Sequence, residues 1–117
     1  MRPDQIRIVE VGPRDGLQNE AQPLTPQERV ALIEQLADAG LRDIEAGSFV
    51  SPRWVPQMAG SDEVLIALSE RKDLRLPVLV PNKKGYELSR VAGAREIAVF
   101  GAASETFSQR NINCSIA

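Results

Sequence analysis

The chain has 117 residues, 26% of them charged, a formal net charge of −2, one cysteine and no histidine. These values allow one modest domain, give no electrostatic case for a nucleic-acid partner, and leave no apolar run of the roughly 20 residues that cross a membrane. The single cysteine excludes an internal disulfide and, with no signal segment, predicts a cytoplasmic location, while the lack of histidine removes the commonest general base.

The first predicted elements are a strand and a helix. The strand covers residues 6–11, is rich in β-branched residues and ends at Gly12. The helix has Thr25 as its N-cap, Pro26 at its first position and Glu28 placed to close a capping box. The sequence therefore predicts a strand that runs through a loop into an amphipathic helix.

The rest of the chain repeats this alternation. Strands are predicted over residues 41–46, 76–80 and 96–100. Ser61 is predicted to be the N-cap of a second helix, and a third helix is predicted to begin near Tyr86. Alternating strands and helices predict a parallel sheet with right-handed crossovers, and the apolar strands suit burial on both faces. An open doubly wound sheet and a (β/α)8 barrel share this pattern, so both architectures remain open at this point.

Polar side chains collect where the predicted strands end. They are Arg14 and Asp15 after the first strand, Glu45 and Ser48 at the second, Asn82 and Lys83 after the third, and Ser104 after the fourth. Ligands bind at the carboxyl ends of parallel strands, so these groups are expected to converge on one face. Two carboxylates beside an arginine are suited to a hard cation such as Mg²⁺ or Mn²⁺.

Plainer interpretations stand beside this one. Arg14 next to Asp15 in a turn is more often a solvated ion pair than a site. Glu45 is harder to explain in this way, because a carboxylate in an apolar strand needs a partner. Trp54 with Phe49 is expected to form a packed loop cluster, since aromatic residues in a loop usually pack together.

Four blocks of sequence resemble the 3-hydroxy-3-methylglutaryl-CoA lyase family of the DRE-type metallolyase superfamily. They are residues 11–20 (VGPRDGLQNE), 44–58 (IEAGSFVSPRWVPQM), 80–85 (VPNKKG) and 100–116 (FGAASETFSQRNINCSI). The family is built on a (β/α)8 TIM barrel, so the resemblance implies an α/β fold with about the first four βα units, a partial barrel. Residues 1–117 are then expected to be the N-terminal half of a lyase-like domain without its C-terminal half.

The resemblance also implies a reaction and roles for individual residues. The family cleaves 3-hydroxy-3-methylglutaryl-CoA to acetyl-CoA and acetoacetate in leucine breakdown and ketone-body formation. Asp15 would bind a divalent cation, Mg²⁺ or Mn²⁺, while Arg14 would stabilise the enolate and Glu45 would complete the catalytic set. The implied substrate-binding residues are Arg14, Gln18, Ser48 and Asn111.

Two alternatives remain beside an acyl-CoA lyase. The family's His-x-His metal ligands have no counterpart here, so the isolated chain is expected to be impaired or inactive. One alternative is a related metal-dependent acyl-CoA condensing enzyme or aldolase. The other is a non-catalytic domain that associates through unpaired strand edges, which predicts a homo-oligomer.

Overall fold

The computed structural model describes residues 5–101, and within this range five short strands alternate with three α-helices. The strands are β1 (Val9–Glu10), β2 (Asp43–Ile44), β3 (Gly47–Ser48), β4 (Val78–Leu79) and β5 (Ile97–Ala98), and the helices are α1 (Pro26–Asp38), α2 (Ser61–Ala67) and α3 (Lys83–Val91). A turn of π-helix covers Gly12–Gly16 and a turn of 3₁₀-helix covers Pro56–Met58. β1, β4 and β5 are each shorter than the sequence pattern predicts.

All the strand pairs are parallel, as the alternation predicts. β1 pairs with β2, β3 pairs with β4, and β4 pairs with β5. Strands that follow one another along the chain are therefore neighbours in space, which is the order of a (β/α)8 barrel, whereas a doubly wound sheet reverses its order. The described residues thus form part of an α/β barrel, and the count of four complete βα units stays a prediction.

β2 and β3 are two pieces of one strand, interrupted by a one-residue bulge. Asp43 pairs with Arg75 and Gly47 pairs with Val78, so four residue steps on this strand face three on its neighbour. Pro77, in the neighbouring strand, has no N–H and cannot donate to the ladder at this point, which is a local reason for the irregularity. The strand continues beyond the end that the sequence predicts.

α1 begins where the sequence predicts. The Thr25 hydroxyl accepts a hydrogen bond from the Glu28 N–H at 3.1 Å, and the Glu28 carboxylate accepts one from the Thr25 N–H at 3.0 Å. These two bonds close the capping box, and the bond from the Thr25 backbone lowers the pKa of Glu28. Beyond the helix, Gly40 has a φ of +106°, the left-handed conformation that ends many helices.

The starts of the other two helices differ from the prediction. α2 begins at Ser61, but its N-cap is Gly60, with a φ of +78°, and the Ser61 hydroxyl makes other bonds. α3 begins at Lys83, earlier than predicted, because the side chain of Asn82 caps it by accepting a hydrogen bond from the Gly85 N–H at 2.8 Å. Proline, asparagine and glycine in this segment mimic the composition of a loop.

The hydrophobic core lies between the strands and the helices that cover them. Its fully buried apolar side chains are Ile33, Ala37, Ile44, Ala46, Met58, Val64, Leu68 and Val78. The last strand departs from the prediction of two-sided burial, because Ile97, Val99 and Phe100 are all exposed. No helix within residues 5–101 has the length and apolar character to cross a membrane.

Candidate functional site

The segment that carries Arg14 and Asp15 is a turn of π-helix at the carboxyl end of β1. The carbonyl oxygen of Val11 accepts hydrogen bonds from the N–H groups of Arg14, Asp15 and Gly16, at 3.1, 2.7 and 3.3 Å. Pro13 is buried beneath the turn. Single π-helical turns recur at functional sites, and this one fixes the backbone from which both charged side chains project.

Arg14 and Glu45 form a close pair between two neighbouring strand ends. The Arg14 Nε donates to the Glu45 Oε1 at 2.6 Å, and the two side chains are only 18% and 10% exposed. The N–H of Glu45, inside the bulge, donates to the carbonyl of Glu10 in β1 at 2.8 Å. The buried carboxylate thus has the partner that its burial requires, and the prediction that Glu45 and Arg14 converge is confirmed.

Asp15 lies on the open side of this pair. Its Oδ1 is 3.4 Å from the Arg14 Nη1, and its side chain is 55% exposed. It can therefore offer one hard oxygen ligand to a cation. Within residues 5–101, however, no three carboxylate, histidine or cysteine side chains lie close enough to hold a metal ion, so the described residues do not form a complete metal site.

Gln18 and Ser48 are also placed beside this edge. Gln18 follows the π-helical turn, and its buried Oε1 has no hydrogen-bond partner among the described residues. Buried side-chain oxygens are normally paired, so this atom is available to a donor from a ligand or a water molecule. Ser48 is buried at the end of β3, and its N–H donates to the Ser61 hydroxyl at 3.2 Å.

Other predicted residues lie elsewhere or serve another purpose. Asn82 caps α3, and Lys83 is an exposed residue of its first turn. The expectation of a packed aromatic cluster is wrong, because Trp54 is 83% exposed while only Phe49 packs against the core. Ser104, Asn111 and Cys114 lie outside the described residues.

The sequence reasoning missed a buried arginine in α1. Arg29 is 0% exposed, and its Nη1 and Nη2 donate to the Ala59 carbonyl at 2.6 Å and to the Ser61 hydroxyl at 2.9 Å. Burial lowers its pKa, because removal from water disfavours the charged form. The signal was its spacing, since Arg29 lies four residues before Ile33 and eight before Ala37, on the face of α1 that is buried.

Comparisons with known proteins agree on one family. The HMGL-like family model matches residues 5–117. The hydroxymethylglutaryl-CoA lyase of Pseudomonas mevalonii is 63% identical over 111 residues, which are 95% of this chain and 37% of that protein.

Solved structures give the same picture. The crystal structure of hydroxymethylglutaryl-CoA lyase from Pseudomonas aeruginosa matches with a TM-score of 0.88 and 57% identity, over 97% of this chain and 38% of that one. An HMG-CoA lyase from Acinetobacter baumannii, solved with coenzyme A and 3-methylmalate, matches with a TM-score of 0.88 and 36% identity, over 94% and 36% of the two chains. The chain spans less than two fifths of the length of these relatives.

Proposed function

Because the chain belongs to the HMGL-like family, we propose that it supplies the arginine–carboxylate part of a hydroxymethylglutaryl-CoA lyase active site. The proposed reaction cleaves 3-hydroxy-3-methylglutaryl-CoA to acetyl-CoA and acetoacetate. The observation that carries the proposal is the 2.6 Å pair of Arg14 and Glu45 at the carboxyl ends of adjacent barrel strands. Coenzyme A in a related lyase structure supports an acyl-CoA substrate.

The chemistry of this cleavage asks for a fixed positive charge. When the tertiary hydroxyl loses its proton and the carbon–carbon bond breaks, the electron pair moves onto the thioester carbonyl as an enolate. The Arg14 guanidinium stabilises negative charge that develops on this oxygen. Its side chain is largely removed from water, which strengthens the interaction relative to one at the surface.

Glu45 and Asp15 determine how that guanidinium is presented. Glu45 holds the Nε and Asp15 lies near the Nη1, while the Nη2 of Arg14 has no hydrogen-bond partner within residues 5–101. The Nη2 is thus the donor available to a substrate oxygen. An arginine held in this way does not need to reorganise when charge develops, and this preorganisation is the main source of its catalytic effect.

Enzymes of the HMGL-like family are metal-dependent, and we propose Mg²⁺ or Mn²⁺ as the cation of this protein. Asp15 is the described residue that would hold it, through an exposed carboxylate next to the Arg14–Glu45 pair. When bound, a divalent cation polarises the substrate oxygens that it contacts. The carboxylate of Asp15 also adds the second negative charge of this cluster, which favours a cation over an anion at the same position.

The proposal is tested in a chimaera in which this chain replaces the matching segment of the Pseudomonas mevalonii lyase. We expect turnover of 3-hydroxy-3-methylglutaryl-CoA, and a loss of about 10²- to 10³-fold in kcat for Arg14→Gln, because such a substitution removes a charge that acts mainly in the transition state. Arg95→Gln, an exposed arginine before β5, is the matched control. Circular dichroism checks that both variants fold, and full activity of a folded Arg14→Gln chimaera would refute the role of Arg14.

A further inference from the structure

We infer that Arg29 is a positioning residue which, acting through Ser61, holds in place the bulge that carries Glu45. What Arg29 holds follows from the geometry of the described residues, and its effect on turnover rests on the proposed function. The family resemblance assigned no role to Arg29. It stands outside the four blocks of sequence that carry the resemblance.

The Ser61 hydroxyl is the centre of a buried network. Its oxygen accepts hydrogen bonds from the Arg29 Nη2 at 2.9 Å and the Ser48 N–H at 3.2 Å, and it donates to the Met58 carbonyl at 2.7 Å. A serine hydroxyl has one proton and two lone pairs, so these three bonds use its full capacity. One buried oxygen therefore joins α1, β3 and the turn of 3₁₀-helix.

This network packs directly against the backbone of the bulge. A Cβ atom added to Gly47 would lie 2.5 Å from the Ser61 Oγ and 2.9 Å from the Arg29 Nη2. Both distances are shorter than van der Waals contact, and both neighbouring atoms are buried and hydrogen-bonded. Arg29 and Ser61 thus pack against the strand at the point where its register shifts.

Burying the guanidinium of Arg29 at this position has an unfavourable free energy. Among residues 5–101 no carboxylate forms an ion pair with it, and its buried Nε lacks a hydrogen-bond partner. A buried charge without a counter-ion is unfavourable, and a methionine would fill a similar volume without that penalty. The two donors that reach Ala59 and Ser61 are the property that only an arginine brings to this position.

The bulge transmits this support to the site. Glu45 lies two residues before Gly47 and is held on its other side by Glu10 and Arg14. If this packing is lost, the backbone at residues 47–48 becomes more mobile. The Glu45 carboxylate, which orients Arg14, then moves with that backbone. Turnover depends steeply on such alignment, so the loss of Arg29 lowers kcat and leaves KM nearly unchanged.

The structural step is tested by amide hydrogen exchange of the 117-residue chain. We expect the Ser48 N–H to exchange at least about tenfold faster in both Ser61→Ala and Arg29→Met, because its acceptor is lost or loosened. Ser69→Ala, an exposed serine after α2, is the matched control and leaves this rate unchanged. The Ile33 N–H in α1 reports whether each variant stays folded.

Two variants guard against a trivial result. Ser61→Ala keeps the arginine but removes the acceptor that its Nη2 shares with the Ser48 N–H, so it tests the same contact if Arg29→Met fails to fold. Arg29→Lys keeps a donor at this position, and we expect its Ser48 exchange rate to lie between those of the parent chain and Arg29→Met. A Ser48 rate that is unchanged in folded Ser61→Ala overturns the inference.

The effect of Arg29 on turnover is tested in the chimaera in which this chain replaces the matching segment of the Pseudomonas mevalonii lyase. Arg29→Met is expected to lower kcat about tenfold with KM within about twofold, and Arg29→Lys to recover part of the loss. A loss shared equally with Ser69→Ala, or an unchanged kcat in Arg29→Met, overturns the link to Glu45. An inactive parent chimaera would contradict the proposed function alone, and the exchange rate of Ser48 would then still decide whether Arg29 holds the bulge.

Discussion

Two clusters of arginine and carboxylate side chains lie at opposite ends of the strands, and their ratios of arginine to carboxylate are opposite. At the amino ends, Asp43 accepts a hydrogen bond from Arg7 and lies 3.8 Å from the Arg75 Nη1, so one carboxylate serves two arginines. At the carboxyl ends, Arg14 serves Glu45 and Asp15, so one arginine serves two carboxylates. We call these the amino-end and carboxyl-end clusters.

Because these ratios are opposite, the two clusters differ in formal charge and in what they can bind. The amino-end cluster, with two arginines and one carboxylate, has a formal charge of +1, and both of its arginines are more than half exposed. The carboxyl-end cluster has a formal charge of −1, a largely buried arginine and an open carboxylate. The first has the features of a structural clamp, and the second can accept a further cation, in accord with where barrel enzymes place stability and catalysis.

The largest expected effect that separates the clusters comes from their carboxylates. In the chimaera, Asp15→Asn should lower turnover at saturating substrate by about 10²-fold and raise the Mn²⁺ concentration needed for half-maximal activity, because it removes the ligand charge. Asp43→Asn in the other cluster should leave the activity of folded protein within about twofold. Steady-state assays over a Mn²⁺ titration measure both variants, and equal losses would remove the distinction between the clusters.

The reverse ranking is expected for stability. Asp43→Asn leaves two arginines without their shared carboxylate, and the buried position makes the loss about 2 kcal/mol of unfolding free energy. Asp15→Asn, at an exposed position, should change the unfolding free energy by less than about 0.5 kcal/mol. Urea denaturation of the 117-residue chain compares them, and a larger loss for Asp15→Asn would contradict the assignment of Asp43 as a clamp.

A smaller effect tests the backing of the carboxyl-end cluster. Gly47→Ala places a methyl group against the buried Ser61 hydroxyl and should cost about 1–3 kcal/mol of unfolding free energy. Gly16→Ala is the matched control, because a Cβ added there meets no heavy atom within 4 Å. The double substitution Gly47→Ala with Ser61→Gly should recover stability relative to Gly47→Ala, and no recovery would show that the contact is not the cause.

The smallest expected effect lies outside both clusters, at the start of the helix that carries Arg29. Glu28→Ala removes the carboxylate that accepts from the Thr25 N–H, which opens the capping box, and should lower the melting temperature by about 4 °C at neutral pH. The folded chain lowers the pKa of Glu28, so this contribution is complete above the ordinary glutamate pKa and is lost as the pH falls through the lowered value. Melting curves between acid and neutral pH should therefore converge for the two chains at low pH, and a constant difference would exclude the Glu28 bond as its source.

The parts of this molecule that follow from local rules could be predicted from the sequence. The capping box of α1 depends on residues three apart, and the parallel pairing follows from the alternation of strands and helices. The meeting of Arg14 with Glu45 follows in turn, because carboxyl ends of neighbouring parallel strands share one edge. These results need no knowledge of how distant side chains fit together.

The remainder depends on contacts between distant segments. The bulge arises from the register against a strand some thirty residues away, and Ser61 was expected to be a cap because its hydroxyl bonds to Arg29 and Ser48 cannot be read locally. The exposure of Trp54 likewise depends on what lies around its loop. The family resemblance implied the candidate site residues but not the network around Ser61, since Arg29 and Ser61 lie outside the resembling blocks.

The bulge also changes which face of the sheet each side chain of its strand points to. Side chains of a regular strand alternate between its two faces, so Glu45 and Ser48, three positions apart, would belong to opposite faces. The additional residue before Gly47 resets this alternation, and positions on either side of it share a face at odd separations. Deleting one residue here would therefore turn the following side chains to the opposite face. The candidate site thus requires the additional residue of the bulge.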